Sequence, residues 1–205
     1  WRLVEEQDAA GATLATYVCG ATYIDEHVSM DRAGRRYYYS QNTLYSTAAL
    51  TDELGNVVER YSYDIYGSPT FEDAAGVATG RTSSVVGNPF LYTGREWDPE
   101  TRLFYYRARY LDPAHGRFTT RDPIPPSSCR GGDLLNQYTY VLNMPTGLVD
   151  PTGENAAAIA TACLVCAGCL GLSAAPSSLP PRPPSGEDWA AFAGCGFACA
   201  YCAAG

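Results

Sequence analysis

The chain has 205 residues and a formal net charge of −8, and it contains no Lys, so all 14 basic residues are Arg. This length suits one or two modest domains. An acidic chain without a basic cluster offers little to neutralise phosphates, so nucleic acid is not an expected partner. The 16 Tyr, 20 Gly and 14 Pro, against 2 Met, favour a mainly β fold, because Tyr packs well on pleated strands while Gly and Pro form turns.

Short alternating segments separated by turn sequences run from residue 1 to about residue 120. The predicted strands are Thr13–Cys19, Arg35–Ser40, Leu44–Thr51, Val57–Tyr63, Asn88–Thr93 and Leu103–Tyr110. Turn sequences lie between them at 31–34, 52–56, 64–67 and 98–101, and most contain a Gly or Asn that can adopt a positive φ. This spacing predicts a β-meander whose hairpins stack into one long twisted sheet.

Three segments resemble parts of a known family. Residues 51–67 (TDELGNVVERYSYDIYG) resemble a YD repeat, and residues 88–123 (NPFLYTGREWDPETRLFYYRARYLDPAHGRFTTRDP) resemble the C-terminal core signature of the Rhs family. Residues 136–153, which include NQYTYVLNMP and VDPTG, resemble its closing segment. This resemblance to the Rhs/YD-repeat family covers residues 1–153 and implies a strip of β-hairpins that spirals into a hollow shell. It also implies a secreted or cell-surface bacterial protein, because the family includes bacterial polymorphic toxins.

The domain division that we expect follows from these segments. Residues 1–87 form YD-repeat β-hairpins, and residues 88–153 form the Rhs-associated core, which plugs one end of the shell. Residues 154–205 form an Ala- and Cys-rich tail with a Pro-rich extended linker at 176–186. Since the chain begins at Trp1 without a signal-peptide pattern, we expect it to be part of a longer precursor.

Two aspartates are the candidate catalytic residues. The resemblance implies that Asp122 and Asp150, each followed by Pro, form an aspartyl dyad that cuts the chain between Glu154 and Asn155. Such a dyad needs one ionised carboxylate to activate water and one protonated carboxyl to donate a proton. The sequence departs from the family pattern at Pro125, where the family has Gly, and at Glu154, where it usually has Leu. Alternatively, both aspartates only initiate turns, as Asp98-Pro and Asp112-Pro do.

The tail contains most of the cysteines. Of the 8 Cys, all but Cys19 and Cys129 follow residue 160, which favours an oxidising compartment and disulfides. On two antiparallel helices the tail cysteines would face one another. The suggested pairs, among 15 combinations that six Cys allow, are Cys163 with Cys202, Cys166 with Cys199 and Cys169 with Cys195. The same thiols could instead bind zinc or an iron–sulfur cluster, which we rank second because the usual zinc spacing is missing.

Two functions remain open from the sequence. The first is a non-catalytic extracellular structural scaffold that assembles with the rest of its precursor or with further copies of itself. The alternative is a toxin-enclosing shell that releases its own C-terminal tail by autoproteolysis. No cofactor fingerprint and no metal-ligand spacing occur outside the tail, so no cofactor and no metal are expected. The uncharged residues 155–181 are only weakly apolar, so membrane contact by the tail is not favoured.

Disulfide pairing of the tail is tested by intact mass. If Cys163, Cys166, Cys169, Cys195, Cys199 and Cys202 pair fully, the chain is lighter by about six hydrogen masses before reduction than after it. An identical mass under both conditions would contradict the pairing.

Overall fold

A computed structural model of the chain describes residues 2–123 and 136–154, and these residues fold into two antiparallel sheets. The first sheet has the strand order β1-β2-β3-β4-β5-β6-β7. Its strands are β1 (Glu5–Gln7), β2 (Thr13–Cys19), β3 (His27–Arg32), β4 (Arg35–Gln41), β5 (Thr47–Thr51), β6 (Val57–Tyr63) and β7 (Pro69–Glu72). Each strand pairs with its neighbours in sequence, so the predicted mainly β meander is confirmed.

The second sheet has the order β11-β10-β9-β8. Its strands are β8 (Glu96–Asp98), β9 (Leu103–Tyr105), β10 (Tyr110–Asp112) and β11 (Arg117–Phe118). Two 3₁₀ turns lie beside it, at Tyr92–Gly94 and Val141–Asn143. The predicted helices of the Cys-rich tail lie outside the described residues.

One turn design recurs along the first sheet. An Asp or Asn side chain accepts hydrogen bonds of 2.8–3.0 Å from the amides two and four residues later. The residue three positions on takes a positive φ, as Gly55 does at +82°. The turns begin at Asp8, Asn42, Asp52, Asp64 and Asp73. The carboxylate or amide thus satisfies the backbone of its own turn, so each of these turns is built from local residues.

Several predicted strand boundaries agree with the structure. Thr13–Cys19 and Val57–Tyr63 are strands with the predicted ends, and Arg35–Ser40 extends by one residue to Gln41. The strand predicted at Leu44–Thr51 begins only at Thr47, because Tyr45 occupies the positive-φ position of a recurrent turn, with φ +63°.

Two predicted strands are wrong. Asn88–Thr93 ends in the Tyr92–Gly94 turn, where Thr93 has φ +49°, and Leu103–Tyr110 is split because Arg107 has φ +64°. Both segments are rich in aromatic residues, a composition that is typical of strands. Their backbones nevertheless change direction at Thr93 and Arg107, where φ is positive. The structure also contains strands that the sequence did not predict: β1, β3, β7, β8 and β11.

The core lies between the sheets and is mostly aromatic. Its larger cluster joins Leu50, Tyr61 and Phe71 of the first sheet to the second sheet and to residues after 136. The buried members of this cluster from the second sheet and beyond include Trp97, Phe104, Tyr106, Leu111, Phe118, Tyr140 and Val141. Tyr106 and Tyr140 are fully buried and their hydroxyls lie 2.9 Å apart, so the polar ends of these rings satisfy each other. This packing fixes residues 140–150 against β9 to β11.

The turn design predicts the effect of adding a side chain at Gly55. We expect Gly55→Ala to lower the free energy of unfolding by about 1 kcal/mol, because an L-residue is strained at positive φ. Open space surrounds a Cβ at this position, so backbone strain is the expected cause. The control is Gly147→Ala, which also meets open space but has no positive φ. Equal denaturation midpoints for the two variants would contradict the prediction.

Candidate functional site

The two candidate aspartates come together because the chain after residue 136 returns along β11. The Phe118 amide donates to the Tyr138 carbonyl at 2.8 Å, and the Asp122 amide donates to the Gln137 carbonyl at 2.9 Å. Arg117 and Thr139 form an isolated antiparallel bridge. This pairing places residues 148–154 beside the β9–β10 connection.

Arg109 connects the two aspartates. Its side chain is 3% exposed, and its Nη2 atom lies 3.3 Å from Asp122 Oδ2 and 3.4 Å from Asp150 Oδ2. The guanidinium carbon also lies 3.6 Å from the centroid of the Phe118 ring, a cation–π contact. Asp150 is 1% exposed, whereas the Asp122 side chain is 19% exposed. One buried cation therefore bridges a buried carboxylate and a partly solvated one.

The main chain from Asp150 to Gly153 is held at every carbonyl. Each of these oxygens accepts a hydrogen bond from the β8 to β10 region. The donors, in the order of the carbonyls, are Arg95 Nη2 (2.6 Å), Arg107 Nη1, the Ala108 amide (3.4 Å) and Arg109 Nε. Guanidinium groups suit this task, because each presents several donors in a fixed plane. The segment is fixed immediately before the predicted cleavage junction.

The Asp150 turn closes on itself and admits only Gly at its end. Asp150 Oδ1 accepts from the Thr152 amide at 3.2 Å and the Gly153 amide at 2.8 Å. Gly153 has φ +76°, and a Cβ there would lie 1.8 Å from the Tyr106 carbonyl oxygen. A side chain would therefore push the segment away from β9 and from Arg109.

A second ion-pair group adjoins the first. Asp25, in the connection between β2 and β3, is 3% exposed. Its Oδ2 lies 3.2 Å from Arg95 Nη2, and its Oδ1 lies 2.5 Å from Arg107 Nη2. The buried cluster thus contains equal numbers of arginine and aspartate charges, which offsets the cost of removing each from water.

The structure bears differently on the other predicted site residues. Glu154 is half-buried and its amide donates to Thr152 Oγ1 at 3.2 Å, whereas Asn155 and Pro125 lie outside the described residues. The tail cysteines also lie outside them. In residues 2–123 and 136–154, no group of His, Cys, Asp and Glu is arranged to hold a metal ion. No helix within these same ranges is both long and apolar enough to span a membrane.

Sequence reasoning missed Arg95, Arg107, Arg109 and Asp25. An Arg in an alternating aromatic segment is normally solvent-facing, so the predicted strand at 103–110 gave no reason to single out its arginines. The available signal was Arg107-Ala-Arg109 itself, two arginines flanked by Tyr residues in the segment that carries the family resemblance.

Comparison with known proteins relates the chain to large toxins. It is 34% identical over 73% of its length to a tRNA3(Ser)-specific nuclease, WapA, of Bacillus spizizenii, and 33% identical over 71% to double-stranded DNA deaminase toxin A of Burkholderia cenocepacia. The crystal structure of TcdB2-TccC3 matches 72% of the chain with a TM-score of 0.53 and 26% identity. The chain spans only 6%, 9% and 7% of these proteins, respectively. No protein-family model matches the chain.

These relatives overturn the first of the two functions expected from the sequence. A non-catalytic structural scaffold was the main expectation, but the relatives are named as nucleases and toxins. Pro125 and Glu154, on which that expectation depended, are only two local departures from the family pattern that residues 88–153 resemble. The toxin alternative agrees better with the comparisons.

His27 lies beside this site and supplies a pH-dependent contribution to stability. Its Nε2 lies 3.0 Å from the Gly94 carbonyl, its ring stacks on Phe90, and its Nδ1 has no hydrogen-bond partner among the described residues. Burial lowers the pKa of His27 below its ordinary value of 6.5. Protonation would place a charge on a buried nitrogen without an acceptor, so the folded state favours neutral imidazole.

We therefore expect acid to destabilise the fold through His27. Because the unfolded chain binds the proton more readily, the contribution is present above the unfolded pKa and is lost as the pH falls below about 6.5. The free energy of unfolding should fall less between pH 7.5 and 5.5 in His27→Gln than in the wild type. His115→Gln, which makes the same substitution at an exposed histidine, is the matched control. A His27→Gln slope equal to that of the wild type would rule out this assignment.

Proposed function

We propose that the chain is the C-terminal part of a bacterial Rhs/YD-repeat toxin shell that cuts itself after Glu154 and thereby frees residues 155–205. Residues 1–87 would supply repeat hairpins of the shell and residues 88–153 its plug. Its first partner would be the rest of its own precursor, in a secreted protein. The observation that carries the proposal is the convergence of Asp122 and Asp150 on buried Arg109, directly before the expected junction.

The comparisons support release rather than an effector activity for residues 2–154. The two curated relatives have names with different chemistries, a tRNA nuclease and a DNA deaminase, yet each is similar to more than two thirds of this chain. Because these proteins carry out different reactions, the segment that they share with this chain is expected to serve a step that does not depend on the reaction. Packaging and release of a variable cargo is such a step.

The geometry suggests a different role for each carboxylate. Asp150 is buried and its Oδ1 accepts two backbone amides, and only acceptors are needed for this arrangement, so an ionised carboxylate fits it well. Asp122 is partly exposed, so water can reach its carboxyl group. In the proposed dyad, one of these two carboxyl groups holds a proton while the other is ionised. One shared proton is what an aspartyl dyad requires.

The proposed reaction is hydrolysis of the Glu154–Asn155 peptide bond. The ionised carboxylate takes a proton from water as the water oxygen bonds to the Glu154 carbonyl carbon. The protonated carboxyl then donates its proton to the Asn155 nitrogen as the C–N bond breaks. The products are a new carboxyl terminus at Glu154 and a new amino terminus at Asn155. The held carbonyls of Asp150 to Gly153 keep the bond in one position during these steps.

Intact mass of the purified chain after a fixed expression time tests the proposal. We expect the wild type to yield two fragments that divide after residue 154. Asp150→Asn and Asp122→Asn should each slow their appearance by about 10²-fold or more, since each removes a proton-transfer group. The control is Asp98→Asn, which alters an exposed Asp-Pro turn and should cleave like the wild type. A wild type that stays in one piece, or an Asp150→Asn variant that cleaves normally, would refute autoproteolysis.

A further inference from the structure

We propose that Asp25 is a positioning residue for the cleavage reaction, and that through it the repeat sheet controls when the chain can be cut. This inference rests on the proposed function. Asp25 touches neither Asp122 nor the junction in any contact described above; it acts through Arg95 and Arg107. It lies in the connection between β2 and β3 of the first sheet, whereas Arg95, Arg107 and Arg109 lie in or beside the second sheet.

The chain of contacts from Asp25 to the site is short. Its carboxylate bonds Arg107 Nη2 at 2.5 Å and Arg95 Nη2 at 3.2 Å. The same Arg95 nitrogen donates to the Asp150 carbonyl at 2.6 Å, and Arg107 Nη1 donates to the Pro151 carbonyl. Each arginine thus contacts both Asp25 and the segment that carries the dyad. Asp25 is the carboxylate that both guanidinium groups share, so its loss removes one of the contacts that orient each of them.

The backbone around Asp25 is held as tightly as its side chain. Gln41 Nε2 donates to the Asp25 carbonyl at 3.3 Å, and Gln41 Oε1 accepts from the His27 amide at 2.9 Å. Gly94 approaches so closely that a Cβ there would lie 2.2 Å from the Asp25 carbonyl oxygen. The position of Asp25 therefore depends on β4, which carries Gln41, and on the turn before β8.

The β2–β3 connection also departs from the turn design of its sheet. The connections after β1, β4, β5 and β6 use the local Asp or Asn turn, and the β3–β4 connection is a two-residue turn at Ala33-Gly34. The β2–β3 connection, at residues 20–26, is longer and extends to Arg95 and Arg107. A longer loop that ends in a buried aspartate is explained by this contact with the core segment.

A charge-balanced double variant can distinguish an effect of Asp25 on cleavage geometry from an effect on the stability of the fold. Asp25→Asn leaves both Arg95 and Arg107 without this carboxylate, which destabilises the fold as well as releasing the segment. The double variant Asp25→Asn with Arg107→Gln restores the net charge of the cluster but not the hydrogen bond to the Pro151 carbonyl. We therefore expect the double variant to recover part of the unfolding midpoint and none of the cleavage rate.

The experiment compares the wild type, Asp25→Asn, the double variant and Asp31→Asn, whose aspartate forms an exposed ion pair on neighbouring β3. Cleavage is followed by intact mass and the unfolding midpoint by circular dichroism. We expect cleavage to slow by about 10²-fold in both Asp25 variants, because a displacement of about 1 Å at a reacting bond has that effect. Asp31→Asn should cleave normally. Normal cleavage in Asp25→Asn, or recovery of rate together with midpoint in the double variant, would overturn the proposal.

Hydrogen exchange provides a readout that does not need cleavage. In an Asp122→Asn background, Asp25→Asn should speed exchange of the Thr152 and Gly153 amides, which donate to Asp150, by a larger factor than exchange of the amides of β5 and β6. Unchanged exchange at 152 and 153 would overturn the role of Asp25 even if the wild type proved uncut. A wild type that is uncut while these amides respond would refute autoproteolysis and retain the positioning role.

Discussion

A guanidinium group that is 3% exposed has lost nearly all contact with water, and its surroundings must replace that water completely. Arg109 meets this requirement with two carboxylates, two main-chain carbonyls and the face of Phe118. Removing one partner of such a buried pair typically costs about 3–5 kcal/mol. The second sheet, the returning segment after residue 136 and the Asp150 turn are all placed so that these partners converge on one side chain.

The need to surround buried arginines with hydrogen-bond acceptors explains two irregular backbone features near the site. The positive φ of Arg107 reverses the chain between β9 and β10, so that Arg107 and Arg109 can both reach the 150–153 segment. Gly153 is required because the Tyr106 carbonyl occupies the space of its missing side chain. The strained backbone is located where charged groups meet a main chain held in place, which is a common property of functional sites.

The sequence predicted well what local chemistry determines. The ends of Thr13–Cys19 and Val57–Tyr63 followed from alternation and from turns whose Asp and Gly act within five residues. The sequence also proposed Asp122 and Asp150 as a pair, through Asp-Pro motifs within a family resemblance, and the structure places both against Arg109. It failed at 88–93 and 103–110, where distant partners rather than local propensity decide the backbone. Asp25 carried no local signal, because its role depends on arginines about 70 to 80 residues away in sequence, a separation that neither turn chemistry nor periodicity reports.

The difference between local turn contacts and contacts of long sequence separation has a consequence for the order of folding. The hairpin turns after β1, β4, β5 and β6 close through hydrogen bonds between residues four apart, whereas Arg95 and Asp150 are separated by 55 residues and Asp25 and Arg107 by 82. Contacts of long sequence separation form late, because the entropy of closing the intervening loops must first be overcome. We therefore expect the site to be among the last parts of the molecule to assemble. Under the proposed function, a chain that has not completed its sheets would have no assembled dyad, so folding itself would set the earliest moment of cleavage.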